Sequence, residues 1–375
     1  MTPTAVRIPY ANIAAQHVSL RDELLAAAGR VLDHGKFILG PEVEEFEGRF
    51  AAVCGVDHAI GVGNGTDALV LALRALQIGA GDEVITPPNS FVASAAAIAL
   101  TGARPVFVDV ADDLNIDVKL IEAAITPRTR AILPVHLTGR PAQMGPLMKV
   151  ASDHNLRVVE DCAQAVCAEI DGRRVGSFGD VGCFSLHPLK TLNACGDGGV
   201  LTTADPAIAW RLRELRNIGL KTRDECVEWS GNSRLDTLQA ALLLVKLAHL
   251  DEWTERRRAN ASAYRRLLGG VRQVRVPIDR EGERAVYHTF VIQAEQRDGL
   301  REFLNGRGIG TSVHYPVPIH LQPAARTLGY GPGSFPVAEA QARSILSLPV
   351  YPELTEDDLA LVSASIRDFY ARTSA

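Results

Sequence analysis

Met144-Gly-Pro-Leu-Met-Lys-Val-Ala-Ser-Asp-His-Asn-Leu-Arg-Val-Val-Glu-Asp-Cys-Ala-Gln-Ala165 decides the fold class. Its first part, residues 144–154, has the length of a helix, and residues 157–161 form a short apolar run that ends in two acids. A helix feeding a strand of this kind builds a mostly parallel sheet covered on both faces. The same alternation extends in both directions. Residues 58–62, 83–86, 105–110, 130–135, 181–186 and 199–203 read as further strands, many bounded by Gly, Pro or Asp, and residues 67–76, 91–100 and 119–124 as helices between them.

From Leu235 the pattern changes. Leu238, Ala241, Leu242, Val245 and Ala248 recur at spacings of three and four, which predicts one long helix with an apolar stripe. Beyond it, strands near 287–294 and 310–314 and helices near 299–306 and 337–346 read as a smaller α+β domain. The expected division is therefore 1–240 for the large domain and 241–375 for the small one.

Composition narrows the function. The 375 residues carry 39 Lys plus Arg against 44 Asp plus Glu, a formal net charge of -5, which supplies no basic field for nucleic acid. The one dense cluster, Arg256 to Arg258 after Glu255, reads as a solvated helix face. No apolar window is long enough to span a membrane, and the first ten residues lack the pattern of an export signal. Six cysteines without a C-x-x-C pair suggest neither a zinc site nor a dithiol, so no metal is expected and a reducing cytoplasm fits.

In a parallel sheet, ligands bind outside the carboxyl ends of the strands. That rule selects residues 63–67, 89–91, His136, 161–164 and 185–190. In Ile60-Gly-Val-Gly-Asn-Gly-Thr-Asp-Ala-Leu69, glycines lie between a strand and a helix, where free N–H groups and the positive helix end attract a phosphate. A dinucleotide fold would need G-x-G-x-x-G and an acid ending the next strand, and neither is present; a plain tight turn is the other reading. At the end of residues 157–161 a carboxylate could hold a protonated heterocycle nitrogen, or Asp161 could cap a helix. Gly182-Cys-Phe-Ser-Leu-His-Pro-Leu-Lys190 then places a lysine at the same edge. Enclosed there, Lys190 would lose charge by desolvation and become a nucleophile able to form a Schiff base; taken singly, it could equally be a surface residue after a loop. Ser185 could donate to a phosphate oxygen. Phosphate cradle, strand-end carboxylate and lysine, in that order, are what pyridoxal 5'-phosphate (PLP) chemistry requires.

The chain resembles the DegT/DnrJ/EryC1/StrS sugar aminotransferases of PLP fold type I, over nearly its whole length. The resemblance is carried by Phe37-Ile-Leu-Gly-Pro-Glu42, Gly63-Asn-Gly-Thr-Asp-Ala68, Pro134-Val-His-Leu137, Glu160-Asp-Cys-Ala-Gln-Ala165, Ser185 to Lys190, Gly196-Asp-Gly-Gly199, Asn232-Ser-Arg-Leu-Asp236, Gln239-Ala-Ala241 and His314-Tyr-Pro316. It implies a large α/β domain with a mostly parallel seven-stranded sheet and a smaller C-terminal domain. It also implies roles. Lys190 would carry the cofactor as a Schiff base and shuttle the proton. Asp161 would pair with the pyridine nitrogen, Gln164 would contact the ring hydroxyl, and Phe91 would lie against the ring. Gly65, Thr66 and Ser185 would hold the phosphate. Asn232 would reach the phosphate of a neighbouring subunit, so a homodimer with shared sites follows.

The implied reaction is transfer of an amino group, with glutamate as donor, to the ketone of a nucleotide-linked deoxysugar. Lys36, His314, Tyr315 and His320 are the expected substrate contacts, with Arg223 and Arg234 beside the Asn232 loop; His320 could equally be a satisfied core histidine, and Arg234 could simply cap or bridge at the start of the long helix. Two alternatives stay open: a keto-cyclitol as acceptor, and a PLP-binding regulator without turnover. Val166-Cys167 and Ile218 depart from the family's usual His-Gly and His, and are expected to border the pocket. Related sugar dehydratases carry histidine in place of the lysine, and Lys190 argues against that branch.

Overall fold

A computed structural model describes residues 6–373. Its centre is a seven-stranded sheet of β1 (His58–Val62), β2 (Glu83–Thr86), β3 (Arg104–Phe107), β4 (Thr129–Ile132), β5 (Arg157–Asp161), β6 (Val181–Ser185) and β7 (Gly199–Thr203) in the order β1-β7-β6-β5-β4-β2-β3. Only β7 runs against its two neighbours. Strands β2 and β7 are buried at every position, as expected where helices cover both faces. Ile60, Val84, Val159 and Leu201 meet the helices Gly65–Ala75 and Pro206–Leu215 in one core, while Phe46, Phe50 and Phe184 anchor another on the opposite face. The predicted α/β class and mostly parallel sheet are thus present.

Several elements differ from expectation. The strand expected to reach 110 stops at Phe107, because Asp109 turns away to accept the N–H groups of Val337 and Ala338 at 3.0 Å each, capping the helix Pro336–Ser344. The helix expected over 119–124 is two single 3-10 turns, Val118–Leu120 and Glu122–Ala124, too short for a helix to propagate. Residues 310–314 do not form a strand: Ser312 makes one bridge to Ser347, and the preceding backbone is occupied by Ile8. The long helix from Leu235 breaks at Ala248-His249 into Thr237–Leu247 and Leu250–Leu268.

A second core surrounds a three-stranded antiparallel sheet of β8 (Val274–Arg275), β9 (Phe290–Ala294) and β10 (Ile345–Leu348), covered by the helices Arg297–Gly306 and Glu356–Thr373. The hand-over between cores falls inside the helix Leu250–Leu268, later than residue 240. Leu243 and Leu250 still pack with Phe46 and Phe184, whereas Ala261, Tyr264 and Leu268 pack with Phe290 and Leu346. Ile8 joins the second core from the other end of the chain. Among the described residues, no helix is long and apolar enough to cross a membrane.

Candidate active site

A cavity of about 530 Å³ opens at the carboxyl ends of β1, β5 and β6, with the second domain as its far wall. At the end of β1, Asn64 caps the helix Gly65–Ala75 by accepting the Asp67 N–H at 2.8 Å. Its carbonyl accepts from Ala68, so the N–H groups of Gly65 and Thr66 stay free of protein acceptors among the described residues. Free amides at a helix N-terminus attract an anion. Gly65 cannot be replaced cheaply, because an added Cβ would stand 2.6 Å from the Cβ of Ser185. The missing side chain lets the helix end and the Ser185 hydroxyl address one point.

The pleat of β5 separates its two terminal acids. Glu160 turns away from the cavity, where it accepts from Gly176, Phe178 and Gly179 N–H groups at 2.8–2.9 Å and meets His136 Nε2 at 3.0 Å. His136 accepts from Ala142 N–H on its other nitrogen, so His136 and Glu160 belong to a saturated buried network, with the Cys162 thiol within 4.8 Å of both. His136, selected by its place after a strand, therefore does not reach the cavity; its neighbours Val135 and Leu137 do.

Asp161 faces the cavity. Its carboxylate accepts the Ser94 hydroxyl at 2.8 Å and the Ala163 N–H at 3.1 Å, and it forms no ion pair among the described residues. Burial raises its pKa above the ordinary carboxylate range, against the opposing pull of those two hydrogen bonds and of Lys190. Lys190 follows β6 in a turn closed by its own N–H on His187 at 2.8 Å. Desolvation lowers its amine to about 8, with Asp161 pulling the other way. Gln164 is held by Thr138 N–H at 2.6 Å and donates to the Tyr315 hydroxyl at 3.2 Å. The Phe91 and Tyr315 rings lie 5.7 Å apart, and Phe91 is 56% exposed, an apolar face turned outward. His314 contacts the Ser347 hydroxyl at 2.9 Å, and burial with the Lys190 charge lowers it to about 4, so it is neutral near pH 7.

The structure thus brings together Gly65, Thr66, Phe91, Asp161, Gln164, Ser185, Lys190, His314 and Tyr315. Five other residues stand apart, among them Arg223, which is exposed on the surface. His320 is buried elsewhere, against Glu339 at 3.1 Å and edge-on to Phe335. Lys36 and Asn232 are exposed on the surface, and Arg234 is engaged by Asn217 at 2.9 Å. Ser233 nevertheless ties the Asn232 loop to the start of the helix Gly65–Ala75, donating to Asp67 at 2.6 Å and accepting from Gly63 N–H at 3.1 Å. Val166 and Cys167 do not border the cavity but pack in the core with Phe50 and Phe184, and Ile218 lies on the surface. Sequence reasoning missed Tyr10, Asp197, Arg257, His288 and Tyr351, all of which line the cavity. Arg257 is the clearest correction, since its place in a charge run pointed to solvent.

A profile described as the DegT/DnrJ/EryC1/StrS aminotransferase family matches residues 18–367. This chain belongs to that family. It is 47% identical over 367 residues to the dTDP-3-amino-3,4,6-trideoxy-alpha-D-glucose transaminase of Streptomyces venezuelae, covering 98% of this chain and 97% of that one. It is 45% identical to the UDP-N-acetyl-3-dehydro-alpha-D-glucosamine 3-aminotransferase of Acidithiobacillus ferrooxidans, covering 96% and 97%. The crystal structure of DesV from S. venezuelae superposes with a TM-score of 0.95 at 47% identity, over 98% of this chain and 99% of that one. As an aminotransferase of this family, the chain has the fold-type-I architecture that its motifs imply.

Proposed function

We propose that this aminotransferase uses pyridoxal 5'-phosphate to move an amino group from glutamate to the ketone of a nucleotide-linked deoxysugar. The observation that carries the reading is the pairing, in one cavity, of an anion-seeking helix end with Lys190 and a buried Asp161 that forms no ion pair among the described residues. A carboxylate buried without a counter-ion is costly, and a protonated pyridine nitrogen would relieve that cost. The residues therefore fit the cofactor. Gly65 and Thr66 amides with the Ser185 hydroxyl would hold its phosphate, Asp161 its ring nitrogen, and Gln164 its ring hydroxyl, with Phe91 against the ring. When bound, the cofactor supplies an electron sink for the carbon that carries the amino group.

The chain's own groups then do the proton work. Lys190 Nζ, neutral once its depressed pKa is passed, removes the proton from the donor carbon and returns one to the sugar carbon in the second half-reaction. Neutral His314 and the Tyr315 hydroxyl line the acceptor side, and we assign them to the sugar. The two relatives named above are a 3-amino-sugar transaminase and a 3-aminotransferase, which supports a 3-ketosugar as the first acceptor to try. The same relatives, biosynthetic in kind, and the six unpaired thiols support a cytoplasmic enzyme.

A ping-pong assay with glutamate tests the reading against 3-keto and 4-keto sugars linked to dTDP and UDP, and against free keto-cyclitols. Turnover of a nucleotide ketosugar is the expected result. Turnover of cyclitols alone would move the assignment to that class, and no turnover of any acceptor would leave a regulator.

We further propose a homodimer in which the partner subunit's Asn232 and Lys36 complete each site. Support comes from their place outside their own cavity and from the exposed apolar residues around them: Phe37 (48%), Ile38 (49%), Ile218 (41%) and Trp229 (87%). Mixing Lys190→Ala with Asn232→Ala protomers should restore about a quarter of wild-type activity, because half of randomly paired dimers are mixed and each holds one intact site. A fully active monomer, or no recovery on mixing, would defeat the shared site.

A further inference from the structure

Lys246, on the helix Thr237–Leu247, is fully buried and forms no ion pair among the described residues. A buried ammonium without a carboxylate has to be solvated by neutral oxygens. Here both oxygens come from one residue. Lys246 Nζ donates to the Asn193 carbonyl at 2.9 Å and to Asn193 Oδ1 at 2.7 Å, with the Cys195 sulfur as its third contact at 3.7 Å.

An ammonium carries only donors, so the face that the Asn193 amide turns to Lys246 must be its oxygen. The amide nitrogen is thereby turned the other way, where it donates to the Lys190 carbonyl at 3.2 Å and to Gln16 Oε1 at 2.9 Å. The main chain of Lys190 is consequently held at both ends, its N–H on the His187 carbonyl at 2.8 Å and its carbonyl on Asn193. The rest of the loop is pinned as well. Ala194 N–H donates to the Leu186 carbonyl at 2.7 Å, and the Gln239 amide grips the Cys195 N–H and carbonyl at 2.8 and 3.1 Å. An apolar side chain of similar length would fill the place of Lys246 without the desolvation cost, but it would leave the Asn193 amide free to turn over. The charge therefore serves orientation, and orientation matters where a reacting group is displaced: an error of about 1 Å costs on the order of 100-fold in rate.

We propose that Lys246 is a positioning residue for the aminotransferase: acting through Asn193, it fixes the main chain of Lys190 and so aims the reactive amine. This rests on the reading of Lys190 as the residue that carries the cofactor. The groups assigned to the cofactor's phosphate and ring nitrogen, Gly65, Thr66, Ser185 and Asp161, lie on other segments, so Lys246 governs what Lys190 does and not whether the cofactor is held.

The test uses Lys246→Met and Asn193→Asp. The aspartate keeps an oxygen for Lys246 and gains an ion pair with it, but has no N–H to offer the Lys190 carbonyl, so it preserves the packing and removes the aim. Cofactor-free protein is mixed with pyridoxal phosphate, and Schiff-base absorbance is followed against pH as Nζ adds to the aldehyde carbon and water leaves. The plateau rate of capture should fall about tenfold or more in each variant, with the Asn193→Asp melting temperature within about 3 °C of wild type. In Lys246→Met the rise with pH should stay near 8, because burial and Asp161 set that value. Added to Lys190→Ala, neither change should weaken cofactor binding more than about threefold. In the loaded enzyme both half-reactions should lose kcat by similar factors while each KM stays within about threefold, since both use the same amine. An Asn193→Asp variant that captures cofactor at the wild-type rate, or loses capture only by unfolding, overturns the assignment. So does a Lys246→Met variant whose pH midpoint moves while its plateau holds, or a loss of cofactor affinity in the Lys190→Ala background. A wild type that forms no Schiff base would instead defeat the reading of Lys190 itself.

Discussion

Replacing Lys190 with alanine should lower transamination by at least about 10⁴-fold, since both the covalent anchor and the acid-base group are lost. The variant should still bind pyridoxal phosphate, because the Gly65 and Thr66 amides and Ser185 do not depend on the lysine. Borohydride reduction of the loaded wild type followed by peptide mapping should leave the pyridoxyl group on Lys190; a label on any other lysine would refute the assignment. The pH dependence has a definite sign. Burial lowers the amine to about 8, so the free base forms well below the pH at which an ordinary lysine titrates. The rate at which cofactor-free enzyme captures pyridoxal phosphate should therefore rise with pH up to about 8 and then level off. Asp161 holds that pKa up by its charge, so Asp161→Asn should move the rise to lower pH.

Much of this architecture was legible because its signals are local. Strands β1, β2, β5 and β7 run between the residues expected, each a short apolar run closed by a polar or turn residue. Gly65, Thr66, Asp161, Gln164, Ser185 and Lys190 all follow such runs, so a rule about strand ends found them. Arg257 escaped because a run of three arginines on a helix has the same sequence appearance whether the middle one meets water or a cavity. Which it meets is decided by how the second domain docks. Tyr10 and His288 reach the cavity from segments distant in the chain, and no periodicity announces that arrival. His320 illustrates the converse: a histidine near the His314-Tyr315 motif looked functional, yet it is buried away from the cavity with its Nε2 on Glu339 and its ring edge-on to Phe335. Glu160 and Asp161 were adjacent and chemically alike, and only the pleat of β5 assigned one to structure and the other to the cavity.

Asp161→Asn should reduce the rate of the donor half-reaction on the order of 10³-fold while leaving the fold intact, the size of effect seen when one preorganised charge-stabilising group is removed from an enclosed site. The amide keeps the shape of the carboxylate and can still accept from the Ser94 hydroxyl, so the loss isolates charge. In the chain alone, burial raises the Asp161 pKa, which means that its negative charge is poorly supported until a cation arrives. On the proposed reading a protonated ring nitrogen would supply that cation, and binding would then draw the Asp161 pKa back down. By linkage, cofactor affinity is highest above the raised pKa of the free site and weakens as pH falls through it, because a protonated acid must release its proton before pairing. Asp161→Asn has no such proton to release. Cofactor dissociation constants measured across pH 4 to 8 on phosphate-bearing pyridoxal should show that extra weakening in the wild type and lack it in the variant. The phosphate's own titration occurs in both and cancels from the comparison. If the variant keeps donor turnover within about threefold, or if the two pH profiles coincide, the ring nitrogen is not held by Asp161 and the charge pairing at the centre of the proposed site is wrong.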